Sequence, residues 1–155
     1  MRFWTSVAFL LAVLVAPRAL AVPIRWSAVG NGAWNTAGNW STGQVPTAAD
    51  DVTVDTAVTI TIANPANGAA GSLSISAAAT IARANGRTLA VTNAITVSNP
   101  SGTANIQVPF TAASLTKGGA GTLALNGVAL SGAGQEVTGA VNVTMAISLP
   151  VTASL

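Results

Sequence analysis

The stretch Ser114-Leu115-Thr116-Lys117-Gly118-Gly119-Ala120-Gly121-Thr122-Leu123-Ala124-Leu125-Asn126-Gly127 decides how the chain is read. It divides into a short strand, a glycine turn and a second strand. Side chains alternate across an extended backbone, so Leu123 and Leu125 face one side while Thr122, Ala124 and Asn126 face the other. The same apolar, small, apolar step returns at Ile60 and Ile62, Leu73 and Ile75, Leu89 and Val91, Ile95 and Val97, Ile106 and Val108, Val128 and Leu130, Val141 and Val143, and Ile147 and Leu149. Turn clusters separate the copies: Asn64-Pro65-Ala66-Asn67-Gly68, Asn85-Gly86, Asn99-Pro100-Ser101-Gly102 and Gly132-Ala133-Gly134. Many very short strands joined by many turns predict an all-β chain.

Two architectures suit that pattern. A parallel β-helix stacks short strands coil on coil, burying Val, Ile and Leu as columns, with Asn at the turns linking coils. An antiparallel β-sandwich is the alternative, but it usually has longer strands with a clearly polar outer face. The shortness of the strands and the approximate repeat favour the solenoid.

Outward from the repeats, the N-terminus reads Met1-Arg2, an apolar run from Phe3 to Val15, Pro17, and Ala19-Leu20-Ala21 before Val22. A basic start, a short apolar segment, a breaker and small residues at the first and third positions before the cut predict a signal peptide over residues 1–21, cleaved after Ala21. Its apolar segment falls short of the roughly 20 residues that span a bilayer, so no membrane association is expected after cleavage. Loss of Arg2 and Arg18 leaves Arg25, Arg83, Arg87 and Lys117 against Asp50, Asp51, Asp55 and Glu136. The formal charge of +2 thus falls to zero, and no basic stripe predicts a nucleic-acid partner. The chain has no cysteine and no histidine, so neither disulfides nor the commonest general base and nucleophile are available.

Residues 22–57 differ from the rest of the mature chain and are expected to form a Trp-rich N-terminal cap ahead of a repeat region over residues 58–155. They hold Trp26, Trp34 and Trp40 with Asp50, Asp51 and Asp55. Exposed indoles on a β-surface would make a carbohydrate platform, with a cell-surface or matrix polysaccharide as partner; buried, they would plug the open end of the solenoid. The three aspartates offer oxygen ligands for Ca²⁺, which wants six or more, and no repeated Gly-Gly-x-Gly-x-Asp run supplies them. The plainer expectation is that Asp50 and Asp51 hold turn amides while Asp55 faces water, with no cofactor. Asn39-Trp40-Ser41 and Asn142-Val143-Thr144 fit the glycosylation sequon, and Glu136 stands without a second carboxylate nearby in sequence.

The opening stretch resembles the autotransporter-associated β-strand repeat, a pattern of Leu-x-Lys, a Gly-x-Gly-Thr-Leu core, then Leu and Gly. Leu115, Lys117, Gly119, Gly121, Thr122, Leu123, Leu125 and Gly127 carry the match, over about 20 residues. The resemblance implies a right-handed parallel β-helix, exported to a bacterial cell surface or the medium, that serves as a stalk or adhesin passenger segment. An enzyme is not expected. A carbohydrate-binding module is the alternative function and a polysaccharide-active β-helix enzyme the third. A C-terminal translocator barrel of the kind autotransporters carry is not expected within residues 58–155, and an exposed last coil would invite self-association.

Overall fold

A computed structural model describes residues 20–126, 130–131 and 141–144. Residues 1–19 of the expected signal segment, Gly127, Glu136 and the Ile147–Leu149 step lie outside the described residues.

Short alternating segments become strands where each finds a copy of itself one coil away. The first coil contributes β1 (Pro23–Arg25) and β2 (Gly32–Ala33). The second carries β3 (Asp51–Val54), β4 (Thr59–Ile62) and β5 (Gly68–Ala70), and the third β6 (Ser72–Ile75), β7 (Thr80–Arg83) and β8 (Leu89–Val91). The fourth carries β9 (Ala94–Val97), β10 (Thr103–Ile106) and β11 (Phe110–Thr111), and the fifth β12 (Ser114–Lys117), β13 (Thr122–Asn126) and β14 (Leu130–Ser131). Strand β15 (Val141–Thr144) comes last.

The strands form three sheets, ordered β1-β3-β6-β9-β12, β15-β13-β10-β7-β4-β2 and β14-β11-β8-β5. Every neighbouring pair within them is parallel. Consecutive strands along the chain lie in different sheets and return to the same sheet one coil later. The described residues therefore form a parallel β-solenoid of about four turns, with almost no helix among them. The first and second sheets run through both the Trp-rich section and the repeats, and the expected boundary after residue 57 falls between β3 and β4 of one coil.

Register builds the core. Ile24 pairs with Val52, Val52 with Leu73, Leu73 with Ile95 and Ile95 with Leu115, a column of buried side chains through five coils. A second column in the same sheet runs Val54, Ile75, Val97 and Lys117. In the second sheet Ile60, Ile81, Ile106 and Leu125 stack in the same way. Leu89 and Phe110 stack in the third, above Gly68. A Cβ on Gly68 would lie 2.7 Å from Ile62 Cδ1, so the bulk that this column lacks comes from its neighbour. On the outside of the first sheet, Thr53, Ser74, Thr96 and Thr116 form one rank and Asp51, Ser72, Ala94 and Ser114 another.

A one-residue slip of any strand would turn its apolar side chains outward, which is why register is strongly specified here. Truncating a column residue leaves a cavity between rungs that the coils above and below cannot fill. Ile95→Ala is expected to cost about 2–5 kcal/mol of stability. Thr96→Ala, one residue on and facing outward, should cost under about 0.5 kcal/mol. The difference is read from denaturation midpoints followed by circular dichroism.

Candidate functional site

The tryptophans close the N-terminal end of the solenoid. Trp26 continues β1, its amide donating to Thr53 O at 3.0 Å, and Trp34 follows β2, its amide donating to Thr61 O at 2.9 Å. Between Trp34 and Trp40 the chain makes a short 3-10 turn over Ala37–Asn39. It then comes back along the outer edge of β1: Ser41 N donates to Arg25 O, Arg25 N to Ser41 Oγ, and Ser27 N to Asn39 O. Trp26 and Trp40 form an antiparallel bridge there. The unpaired edge of the first sheet is thus covered by its own chain, the usual protection against edge-to-edge association.

All three indoles are buried, Trp34 completely. Trp26 and Trp40 meet edge to face with centroids 5.0 Å apart, and Trp34 and Trp40 with centroids 4.9 Å apart. Trp40 Nε1 donates to Trp34 O at 2.7 Å and Trp26 Nε1 to Gly30 O at 3.3 Å, whereas Trp34 Nε1 is buried without a hydrogen-bond partner. Gly32 occupies the rung position below Ile60, and a Cβ on it would lie 2.6 Å from Asn39 Nδ2 and 3.1 Å from Trp26 Cη2. The glycine leaves the space that the Asn39 carboxamide and the Trp26 ring fill. With the rings packed on one another, no indole face is presented to solvent as a sugar platform.

The three aspartates diverge. Asp50 is buried and accepts from Thr47 N at 2.7 Å and Thr47 Oγ1 at 2.6 Å, closing the turn before β3. Asp51 faces outward and accepts from Ser72 Oγ at 2.5 Å, across to the next coil. Asp55 pairs with Arg25, with Nη2 and Oδ2 2.6 Å apart and Nε to Oδ1 2.9 Å. Each carboxylate is held by a different residue, and no group of three or more acidic, histidine or cysteine side chains gathers at one point among the described residues.

Asn39 of the first sequon is committed as well. Its Nδ2 donates to Ala33 O at 2.9 Å and the following Trp40 is buried, so the half-buried amide nitrogen that a glycan would take is already bonded to the cap backbone. The side chain of Asn142 lies outside the described residues.

The Gly-rich motif is a corner of the solenoid. Leu115, Leu123 and Leu125 are buried in the columns, and Thr122 pairs with Thr103 on the outer face. Lys117 sits at an inward-facing column position, only 1% exposed, with Nζ donating to Gly118 O and, at 3.1 Å, to Gly119 O. An ammonium group there turns back onto the carbonyls of its own turn, while its methylene stem continues the apolar column.

Beside it lies Asn99, fully buried at the corresponding corner of the fourth coil. Its Nδ2 donates to Gly102 O at 3.0 Å, Ser101 O at 3.2 Å and, across to the fifth coil, Thr122 O at 3.4 Å. Gly121 N donates in return to Asn99 O at 3.0 Å. A Cβ on Gly121 would stand 2.8 Å from both Asn99 Cγ and Asn99 O, and one on Gly119 2.6 Å from Asn99 O, with φ at +71° besides. The glycines are therefore required by the neighbouring coil. Asn31 and Asn67 join coils in a related way, their Oδ1 atoms accepting from Thr59 N at 2.7 Å and Thr88 N at 3.3 Å.

Parallel coils, buried columns and corner asparagines define the class: a non-globular repeat built by stacking, a β-solenoid. The chain belongs to a family described as a domain of unknown function, DUF8693, whose model matches residues 25–119. That span reaches from β1 through the Gly119 corner and so includes the tryptophan cap. No curated protein and no solved structure matches the chain.

Both the cap and the corner should register in stability. Trp34→Ala empties the centre of the cap and is expected to cost about 3–5 kcal/mol, measured by denaturant unfolding followed by circular dichroism. At the corner, Gly121→Ala and Asn99→Ala should each destabilise, by about 1–3 kcal/mol. Because the new methyl group displaces the same carboxamide, the double variant should fall short of the sum by about 0.5–3 kcal/mol.

Proposed function

We propose that this chain is a non-enzymatic structural segment of an exported bacterial surface protein, a stalk or adhesin passenger of the autotransporter-associated repeat type. It acts by presenting a stacked surface at a distance rather than by chemistry. The observation that carries this reading is the outer face of the first sheet. From Ser72 onward its two ranks read Ser72 and Ser74, Ala94 and Thr96, Ser114 and Thr116, small neutral side chains repeated coil after coil. Repetition of that kind extends a surface, whereas a catalytic site needs unlike groups brought to one point. The signal-like N-terminus and the Leu115–Gly127 resemblance supply the export part of the reading.

The carbohydrate-module reading has the burial of Trp26, Trp34 and Trp40 against it. Polysaccharide turnover would require an acid and a base in reach of one bond, and Asp50, Asp51 and Asp55 are each held by a separate partner.

The test is location together with binding. Cells producing the full chain are fractionated, and intact cells are treated with protease; the exported chain is expected on the surface or in the medium. The same material is screened on a glycan array with and without calcium, and is expected to bind no glycan and to turn over no polysaccharide. Retention in the cytosol would overturn the export reading. Saturable glycan binding or turnover would replace the structural role with the binding module or the enzyme.

A further inference from the structure

The chain carries four Asn-Gly pairs, at residues 31–32, 67–68, 85–86 and 126–127, and the three that are described in full stand in unlike surroundings. Asn31 and Asn67 are tied to the next coil, their Oδ1 atoms accepting from Thr59 N and Thr88 N. The glycines after them are held in β2 and β5. Gly68 N donates to Thr88 O at 2.9 Å, and a Cβ on Gly32 or Gly68 would meet a neighbouring side chain at 2.6 or 2.7 Å. Asn85 and Gly86, by contrast, are exposed, belong to no strand and make none of the described hydrogen bonds. They are the two central residues of a turn closed by Arg87 N donating to Ala84 O at 3.3 Å, with φ of 52° and 70°. Nothing lies within 4 Å of where a Gly86 Cβ would stand.

We propose that Asn85 is a site of spontaneous modification, deamidating through a cyclic imide with Gly86, while the stacked coils protect the same dipeptide at Asn31 and Asn67. The Gly86 nitrogen attacks Asn85 Cγ, and Nδ2 departs as ammonia with the proton that the Gly86 nitrogen gives up. Water then opens the ring, at Cγ to give aspartate or at the Asn85 backbone carbonyl to give isoaspartate. The net change is hydrolysis of a carboxamide to a carboxylate, and neither an oxidant nor an enzyme is needed. Glycine admits the attack because no side chain shields its nitrogen, and an exposed turn outside the strands lets the two atoms approach without breaking a rung. At Asn31 and Asn67 the ring can close only after the bond to the next coil and the strand pairing have opened, which draws on the stability of the coil itself. The product carries a negative charge two residues from both Arg83 and Arg87, so the charge of the chain falls by one at that turn. None of this depends on the export reading.

The experiment incubates the purified full chain at neutral pH, folded and in denaturant, and follows each Asn-Gly peptide by mass spectrometry after digestion. Isoaspartate is scored by enzymatic methylation of its free carboxyl group. In the folded chain Asn85 is expected to convert at least tenfold faster than Asn31 or Asn67, giving both aspartate and isoaspartate, with circular dichroism showing the coils intact. In denaturant the three should converge, since the protection of Asn31 and Asn67 is then gone. Asn85→Gln should abolish the fast conversion and leave the slow ones unchanged. Conversion of Asn31 or Asn67 as fast as Asn85 in the folded chain overturns the proposal, as does Asn85 that stays intact while the unfolded chain reacts. A lead of Asn85 that persists undiminished in denaturant overturns it as well, because the selectivity would then belong to the flanking residues and not to the fold.

Discussion

Everything in this molecule depends on one constraint: a parallel rung must place an apolar side chain over the apolar side chain of the rung before it. Ile24, Val52, Leu73, Ile95 and Leu115 meet that condition through five coils, and no segment of the chain could do so alone. A strand of three or four residues has too few bonds to be stable by itself, and even a two-stranded ribbon is marginal in water. Stability is therefore shared between neighbours, which makes each coil conditional on the next. The three sheets are the consequence, since each coil turns through three corners before it can lie on itself again.

A stack of this kind has two weak places, its ends and its corners. At the N-terminal end the chain folds Asn39–Ser41 back along β1, and three indoles fill the space that the first coil leaves. At the corners the backbone leaves the sheets, and its polar groups need partners. Asn31, Asn67 and Asn99 supply them by reaching a backbone group one coil on. Asn99 does so from a fully buried position, and the corner beside it accommodates the carboxamide only because Gly119 and Gly121 lack side chains. Bonds from Asn99 Nδ2 to Ser101 O, Gly102 O and Thr122 O hold the corner in one geometry, while Asn99 Oδ1 is buried without a hydrogen-bond partner.

The alternation in residues 59–125 made most strands of the first two sheets legible, because Leu73 with Ile75, Ile95 with Val97 and Ile60 with Ile62 are pairs of bulky residues two apart. The expected Ile106 and Val108 step is the exception, since β10 ends at Ile106 and the small Ala104 is its other inward residue. The third sheet was legible only at β8, where Leu89 and Val91 lie two apart. Strand β5 is Gly68-Ala69-Ala70 and β11 only Phe110-Thr111, so the first reads as the tail of a turn and the second has no partner residue two along. Their strand character comes from lying on Leu89 and its neighbours, which is a tertiary fact. The tryptophan section reads as a separate cap because its turns are irregular, yet β1, β2 and β3 enter the same sheets as the later strands. Nothing local marks Asn99 either; Asn99-Pro100-Ser101-Gly102 has the composition of any turn, and its burial comes from the coil stacked above it.

The sequence by itself determined that this protein is built from short strands, that its apolar residues occupy every second position, and that glycine and asparagine punctuate them. Those properties are local, set by side-chain size and backbone freedom. Only the tertiary structure decided which rung lies over which and that Lys117 points inward. It also decided that the three aspartates would separate to Thr47, Ser72 and Arg25, and that the indoles would pack on each other. The reason is physical: alternation tells which face of a strand is apolar, whereas the partner of that face is chosen by the length of each turn and by what the neighbouring coil leaves room for.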